Sequence, residues 1–302
     1  MPRTKNQYFL HKAVEQNRIE MVKWLIENGA EVNAKNTDHR TPLHHASNSG
    51  LFEVVQYLIE NGANVNAKDK DDLTPLHDAS LNPTNKSTKI LKYLLENGAQ
   101  IDAKTKSGWT PLHYATAYGQ LDIVQYLIAE GCQIEVKTTS GQIPLHFSVV
   151  CNVPAGVIRH LIEKGTSIDA KDNDGNTALH NCIIGQYQRQ SKPTIAIEVM
   201  KILIENGACI DQKAMDFARD KQILEYLTLK QKEISNAATP EETVSNKDPC
   251  IICNGPKNGF FILLPCAHGS LCEICCIKIT KEKFAKCPQC RQPVKQYKKI
   301  FL

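Results

Sequence analysis

Apolar residues in the first 230 positions recur at helical rather than strand spacing. The segment 52–60 (FEVVQYLIE) sets Val55, Leu58 and Ile59 on one face of a helix and leaves Glu53, Gln56 and Glu60 on the other. Asn61-Gly62 then stops it, because glycine accepts the left-handed conformation that follows a helix end. Ahead of it, Thr41-Pro42 opens a shorter helix, with proline at an early position where its missing N–H costs nothing. This unit of short helix, second helix and Asn-Gly stop predicts a helical hairpin with an apolar face it cannot cover alone.

The same phrases return along the chain. Thr-Pro-Leu-His stands at Thr41–His44, Thr74–His77 and Thr110–His113, with variants at Ile143–His146 and Thr177–His180 and a worn copy at Phe9–His11. Each is followed by a stretch of the type LIENGA whose glycines, Gly29, Gly62, Gly98, Gly131, Gly165 and Gly207, lie 33, 36, 33, 34 and 42 residues apart. Such self-similarity marks a solenoid in which stacked neighbours build a continuous core. The pattern resembles the ankyrin repeat. The resemblance implies a domain over residues 1–230, of about six repeats and a closing half-unit near Met215–Leu229. Extra residues near Asn82–Thr88 and Gln186–Thr194 read as surface-loop insertions.

The repeated histidines His11, His44, His77, His113, His146 and His180 take a stacking role, since their placement follows the repeat. Cys132, Cys151, Cys182 and Cys209 each stand alone and read as small apolar fillers. The ankyrin family binds proteins through loop tips and first helices, with no chemistry of its own. Residues just before each Thr-Pro-Leu-His phrase are expected at such tips: Arg40, Leu73, Trp109, Gln142 and Asn176. Trp109, with Tyr114 and Tyr118 at exposed-type positions and Phe147 one repeat later, forms a candidate aromatic anchor for a protein substrate, which Arg40 and Leu73 extend.

Residues 231–249 (QKEISNAATPEETVSNKDP) lose the helical pattern and are rich in Ser, Thr, Glu, Asn and Pro, which predicts a flexible connector. Beyond it the chemistry changes. Four ligand pairs follow one another: Cys250/Cys253, Cys266/His268, Cys272/Cys275 and Cys287/Cys290. Zinc takes four soft ligands tetrahedrally, so eight donors make two closed sites with no open position for substrate, and the metals are expected to be structural. A segment of about fifty residues buries too little apolar surface to hold itself. Zinc worth roughly 10–16 kcal/mol per site supplies the deficit.

Ribbon, PHD, LIM and RING modules all use such donors. A lone histidine in fourth place resembles the RING family, and a PHD finger would carry it fifth, where this chain has Cys272. The RING resemblance implies a small α+β module over 250–302, so the fold class is a mainly α solenoid followed by a zinc-binding RING finger. It also implies interleaved ligation, with Cys250, Cys253, Cys272 and Cys275 on one zinc and Cys266, His268, Cys287 and Cys290 on the other.

RINGs of ubiquitin ligases recruit a ubiquitin-charged conjugating enzyme in an apolar groove. Carried over, that groove is Ile251, Ile279 and Pro288, with Arg291 after the last ligand as the hydrogen-bonding contact to enzyme and ubiquitin. The segment 264–272 (LPCAHGSLC) is similar to RINGs of the inhibitor-of-apoptosis and Mind bomb type, with Ala267 in place of their usual glycine. Phe301, eleven residues past Cys290, matches an aromatic through which dimeric members reach ubiquitin on the partner's enzyme, implying a RING-mediated homodimer. No residue is expected as a nucleophile. Cys276, beside a ligand and lacking a base, reads as a bystander.

Composition changes this picture little. At 302 residues, 42% hydrophobic and 23% charged, the chain has room for about two domains and is neither disordered nor membrane-like. Net charge is +4, yet residues 250–302 hold nine Lys/Arg against two Glu, so the rest is net negative. Those lysines are scattered and form no basic run, which argues against nucleic acid. The opening MPRTKNQYFL holds no apolar signal segment and no stretch approaches the ~18–20 residues that span a bilayer. A reducing cytoplasm is therefore expected (a host's, if the source is an intracellular microbe), where paired cysteines favour metal over disulfides. The sequence predicts a ubiquitin ligase with ankyrin repeats selecting substrate. The alternative is a zinc-bearing scaffold that binds proteins without transfer.

Overall fold

The computed structural model describes residues 3–81, 87–150, 153–189 and 193–237. These residues fold as fourteen α-helices arranged in pairs. The pairs are α1 (Arg3–Glu15) with α2 (Ile19–Glu27), α3 (Pro42–Asn48) with α4 (Phe52–Glu60), and α5 (Pro75–Leu81) with α6 (Ser87–Glu96). Next come α7 (Pro111–Ala117) with α8 (Leu121–Ala129) and α9 (Pro144–Val150) with α10 (Ala155–Glu163). The last are α11 (Ala178–Arg189) with α12 (Pro193–Glu205) and α13 (Gln212–Phe217) with α14 (Lys221–Ala237). First helices stack on first helices and second helices on second, which is the solenoid the repeat spacing predicts. The chain divides into two units, Met1–Thr228 and Leu229–Leu302.

Burial follows the repeat. The leucines of the Thr-Pro-Leu-His phrases, Leu43, Leu76, Leu112, Leu145 and Leu179, are all fully buried, as are Leu58, Leu94, Leu127, Leu161 and Leu203 of the second helices. In α4, Val55 and Leu58 are buried and Ile59 packs against the core from a half-buried position. Cys132 and Cys182 fill the core, and burial pushes both thiols up to about 12, so neither ionises near neutrality. Cys209 is exposed, so it is no core filler, and Cys151 lies outside the described residues.

Two polar ladders bind each repeat to the next. At the turns, Lys70 N–H donates to Asp38 O, Lys106 to Asp71, Thr139 to Ser107 and Asn173 to Ser140, each at 3.0 Å. Further along, Asn33 and Asn66 donate to Gly62 O and Gly98 O at 2.9 Å. In later repeats Asp102 and Asp169 accept instead, from the N–H of Gln133 and Cys209 at 3.0 Å.

The turns need a left-handed residue just before their base, supplied by His39, Asp72, Gly108, Gly141 and Gly175. Gly141 (φ +77°) is the demanding case, because a β-carbon there would come within 2.7 Å of the Asn173 backbone nitrogen. Gly62 (φ +86°) ends α4 with open space around it. Gly141→Ala is therefore expected to cost about 2 kcal/mol or more, against about 1 kcal/mol for Gly62→Ala, in urea unfolding followed by circular dichroism.

Two segments differ from the sequence expectation. The insertion expected as a loop at Gln186–Thr194 is largely helical: α11 continues to Arg189 and α12 opens at Pro193. Gln186–Arg189 carries no proline or capping residue to stop α11, and Pro193 suits a helix's first turn. Of the shorter insertion, Ser87 and Thr88 belong to α6 and residues 82–86 lie outside the described residues. Likewise α14 runs to Ala237, so residues 231–237, at the start of the stretch expected as a connector, are helical. Its i,i+3 pair Lys230–Glu233 (2.7 Å) adds to that extension.

Candidate functional site

The repeated histidine sets the position of the candidate protein-binding residues. Its Nδ1 accepts the backbone N–H that opens its own first helix, at 3.1 Å in His44, His77 and His113. That leaves Nε2 as donor. It gives its proton to the carbonyl at the base of the next turn: His11 to Arg40 (3.0 Å), His44 to Leu73 (3.0 Å), His77 to Trp109 (3.2 Å), His113 to Gln142 (3.4 Å) and His146 to Asn176 (3.2 Å). The last of the series, His180, finds Asp211 Oδ1 at 2.8 Å. Burial holds His44, His77 and His113 neutral, with pKa values lowered to about 4, and lowers His146 as well.

This bonding corrects one expectation. Arg40, Leu73, Trp109, Gln142 and Asn176 are half-buried at the bases of the turns, tied there by their carbonyls, rather than at exposed tips. The bases are also rigid. Arg40 and Leu73 N–H groups donate back to Asn36 Oδ1 and Asp69 Oδ1, both at 2.9 Å.

On that frame three aromatic rings meet. Trp109 lies between Tyr114 (centroids 4.9 Å apart) and Phe147 (4.3 Å), both planes inclined by 51°. Phe147 also meets His113, and Tyr114 meets His77, edge to face. All three aromatic residues are half-buried, so Tyr114 is less open than its position in the repeat predicts. Tyr118, the C-cap of α7, is 59% exposed and, among the described residues, makes no ring contact with the three.

The neighbouring chemistry is acidic, and sequence reasoning missed it. Asp78 holds the place in its repeat that Tyr114 and Phe147 hold in theirs, and its side chain is 1% exposed. Arg40 donates to its Oδ1 at 2.6 Å and lies 3.6 Å from Asp69, while among the described residues Asp78 Oδ2 has no hydrogen-bond partner. Arg40 is thus committed to an internal ion pair. Burial pushes the Asp78 carboxyl up to about 7, with Arg40 pulling against it. Burial first, then the charges of Asp78 and Asp69, push the Tyr114 phenol up to about 12. The available signal was a lone carboxylate in a column otherwise holding Lys12, His45, Tyr114, Phe147 and Asn181, with an arginine one repeat earlier.

The second candidate site lies outside the described residues. It comprises the expected ligands Cys250, Cys253, Cys266, His268, Cys272, Cys275, Cys287 and Cys290, with the expected contact residues Ile251, Ile279, Pro288, Arg291 and Phe301. Its donor set of seven thiols and one imidazole, in pairs, suits zinc. Among the described residues no group of three or more His, Cys, Asp or Glu could hold a metal, and no helix is long and apolar enough to cross a membrane.

Family models match both parts of the chain. A model for ankyrin repeats in three copies matches residues 10–105 and 66–138, and the single ankyrin repeat matches 174–215. The C3HC4-type zinc finger (RING finger) matches 246–297, a span that contains all eight expected ligands. No curated protein matches the chain.

Proposed function

This chain is an ankyrin-repeat protein with a RING-type zinc finger toward its carboxyl end, and from that premise we propose that it is an E3 ubiquitin ligase. The observation that carries the proposal is the RING match over 246–297 together with Ile251, Ile279, Pro288 and Arg291 at the family's groove positions. A scaffold that only binds proteins has the same two parts but no need for an apolar groove followed by an arginine.

Zinc, when bound, supplies cross-links that fold the module, with Cys250, Cys253, Cys272 and Cys275 at one site and Cys266, His268, Cys287 and Cys290 at the other. Ile251, Ile279 and Pro288 hold the conjugating enzyme, and the Arg291 fork bonds both enzyme and ubiquitin. The enzyme–ubiquitin thioester is thereby kept in one orientation. A substrate lysine amine attacks its carbonyl, an amide forms, and the enzyme's thiol leaves. Catalysis is by positioning, with no nucleophile from this chain. Phe301 acts across a RING-mediated homodimer, and the working compartment is the cytoplasm in which charged conjugating enzymes operate.

Substrate selection falls to the repeats, with the Trp109–Tyr114–Phe147 cluster as anchor and the exposed Tyr118 at the end of the helix that carries Tyr114. Trp109→Ala is expected to weaken substrate binding by 10-fold or more (on the order of 2 kcal/mol) while leaving self-modification unchanged. Calorimetric titration beside an autoubiquitination assay measures both. Autoubiquitination with a panel of conjugating enzymes tests the function itself. Chains with at least one enzyme are expected, and none with any enzyme favours the scaffold.

A further inference from the structure

A carboxylate taken out of water and only half bonded calls for a reason beyond packing, because a partly satisfied buried pair is less stable than an apolar replacement. Asp78 is such a group. Arg40 reaches its Oδ1 from the repeat before, at 2.6 Å, and also faces Asp69 at 3.6 Å, so one cation serves two carboxylates. Asp69 is held by its own turn, accepting from the Asp71 and Leu73 N–H groups at 2.8 and 2.9 Å. From the repeat after, α7 stacks on α5 and sets Tyr114 in the column of Asp78, yet no donor among the described residues reaches Asp78 Oδ2. The other cations of these turns are engaged: Lys70 with Asp38 at 2.8 Å, Lys68 with Asp72 at 3.5 Å, and Lys106 with the Lys70 carbonyl. Asp71 is exposed, and among the described residues no ion pair holds its carboxylate.

We propose that this corner, between Asp71, Asp78 and the ring of Tyr114, takes a basic side chain, arginine or lysine, of the protein that the repeats bind. The inference rests on the reading of the Trp109 cluster as a protein anchor and adds the chemistry of its partner. Tyr114 is where ring and charge meet. Its ring lies 4.9 Å from that of Trp109, and its phenol, raised chiefly by burial, is held up further by the carboxylates of Asp78, Asp69 and Asp71. An aromatic face backed by negative charge attracts a cation by both means at once. A long basic side chain suits such a place, since its stem covers ring surface while its charged end stays in water beside the exposed Asp71. An acidic side chain there would meet the same field as repulsion. The column runs Asp78, Tyr114, Phe147, one residue per repeat, so the partner's basic residue sits to one side of the apolar residue that meets Trp109 and Phe147.

The test selects binders to the full chain from displayed random dodecapeptides and keeps those whose affinity falls at least tenfold on Trp109→Ala. These are expected to carry an arginine or lysine within a few residues of a large apolar residue. In synthetic copies, norleucine in place of that basic residue should raise Kd at least fivefold by calorimetry on the unaltered chain. On Asp71→Asn/Asp78→Asn the same replacement should change Kd less than twofold, as expected of two groups that act as a pair. Asp71→Asn alone serves if the double variant loses its circular dichroism spectrum or melting temperature. Trp109-dependent peptides without a basic residue, or a norleucine effect equal on both chains, would overturn the cation site and leave the anchor standing. Absence of any Trp109-dependent peptide would remove the anchor as well.

Discussion

Ile251→Ala and Arg291→Ala should each reduce ubiquitin chain formation at least tenfold, with zinc content and the solenoid's melting unchanged. The two act on different terms. Ile251 contributes apolar area to the groove, so its truncation weakens capture of the conjugating enzyme, and raising that enzyme's concentration should restore part of the rate. Arg291 holds the thioester in its reactive orientation, and a tenfold loss corresponds to about 1.4 kcal/mol of positioning. Added enzyme should not restore it. Lysine at 291 should rescue little, because an ammonium cannot bond two carbonyls in one plane as a guanidinium does. Quantified gels across an enzyme titration, with elemental analysis for zinc, separate these outcomes. Full activity in both variants would mean that the groove lies elsewhere.

The solenoid should lose most of its stability between about pH 6.5 and pH 4. His44, His77 and His113 are lowered from 6.5 to about 4 by burial, and each donates through Nε2 while accepting through Nδ1. A second proton on the ring would face a backbone N–H. In this range the unfolded chain binds more protons than the folded one, so stability is complete above 6.5 and declines as pH falls toward the folded values. At about 1.4 kcal/mol per pKa unit, each of the three forfeits roughly 3 kcal/mol at most. Asp78 opposes them. Its pKa, raised to about 7, makes the folded state the better proton binder there and gives back stability as pH falls. One carboxyl against three histidines leaves a net loss, comparable with a domain's total of about 5–15 kcal/mol. Thermal melts by circular dichroism from pH 7.5 to 4.5 should show a steep decline. A flat profile would mean that these imidazoles accept protons without cost.

The sequence carried the helical hairpins clearly because each was stated six times. Repetition turns a weak local signal, such as Thr-Pro or Asn-Gly, into a register, and α4 occupies the residues 52–60 that the apolar spacing picks out. The histidine ladder was legible for the same reason. What escaped was whatever occurs once. Asp78 and Arg40 are 38 residues apart, and neither alone announces a buried ion pair. Tyr114 looked open on its own helix, yet Trp109 and His77 from adjoining turns and repeats cover part of it. The helical extensions at 186–189 and 231–237 lacked both a repeat and a strong stop signal, so composition suggested loop where tolerable helix formers continued the element. For the metal module, which lies outside the described residues, the expectation rests on the order and spacing of eight candidate donors alone.

The most direct test follows a single turnover: a purified conjugating enzyme already carrying ubiquitin as its thioester is mixed with the full chain and free lysine, and loss of the thioester is timed. We expect the chain to accelerate discharge to lysine at least tenfold, and Ile251→Ala to return the rate to that of the enzyme alone. Unaltered discharge with every enzyme of a broad panel, from protein that holds two zinc ions per chain, would contradict a ligase and leave a binding scaffold.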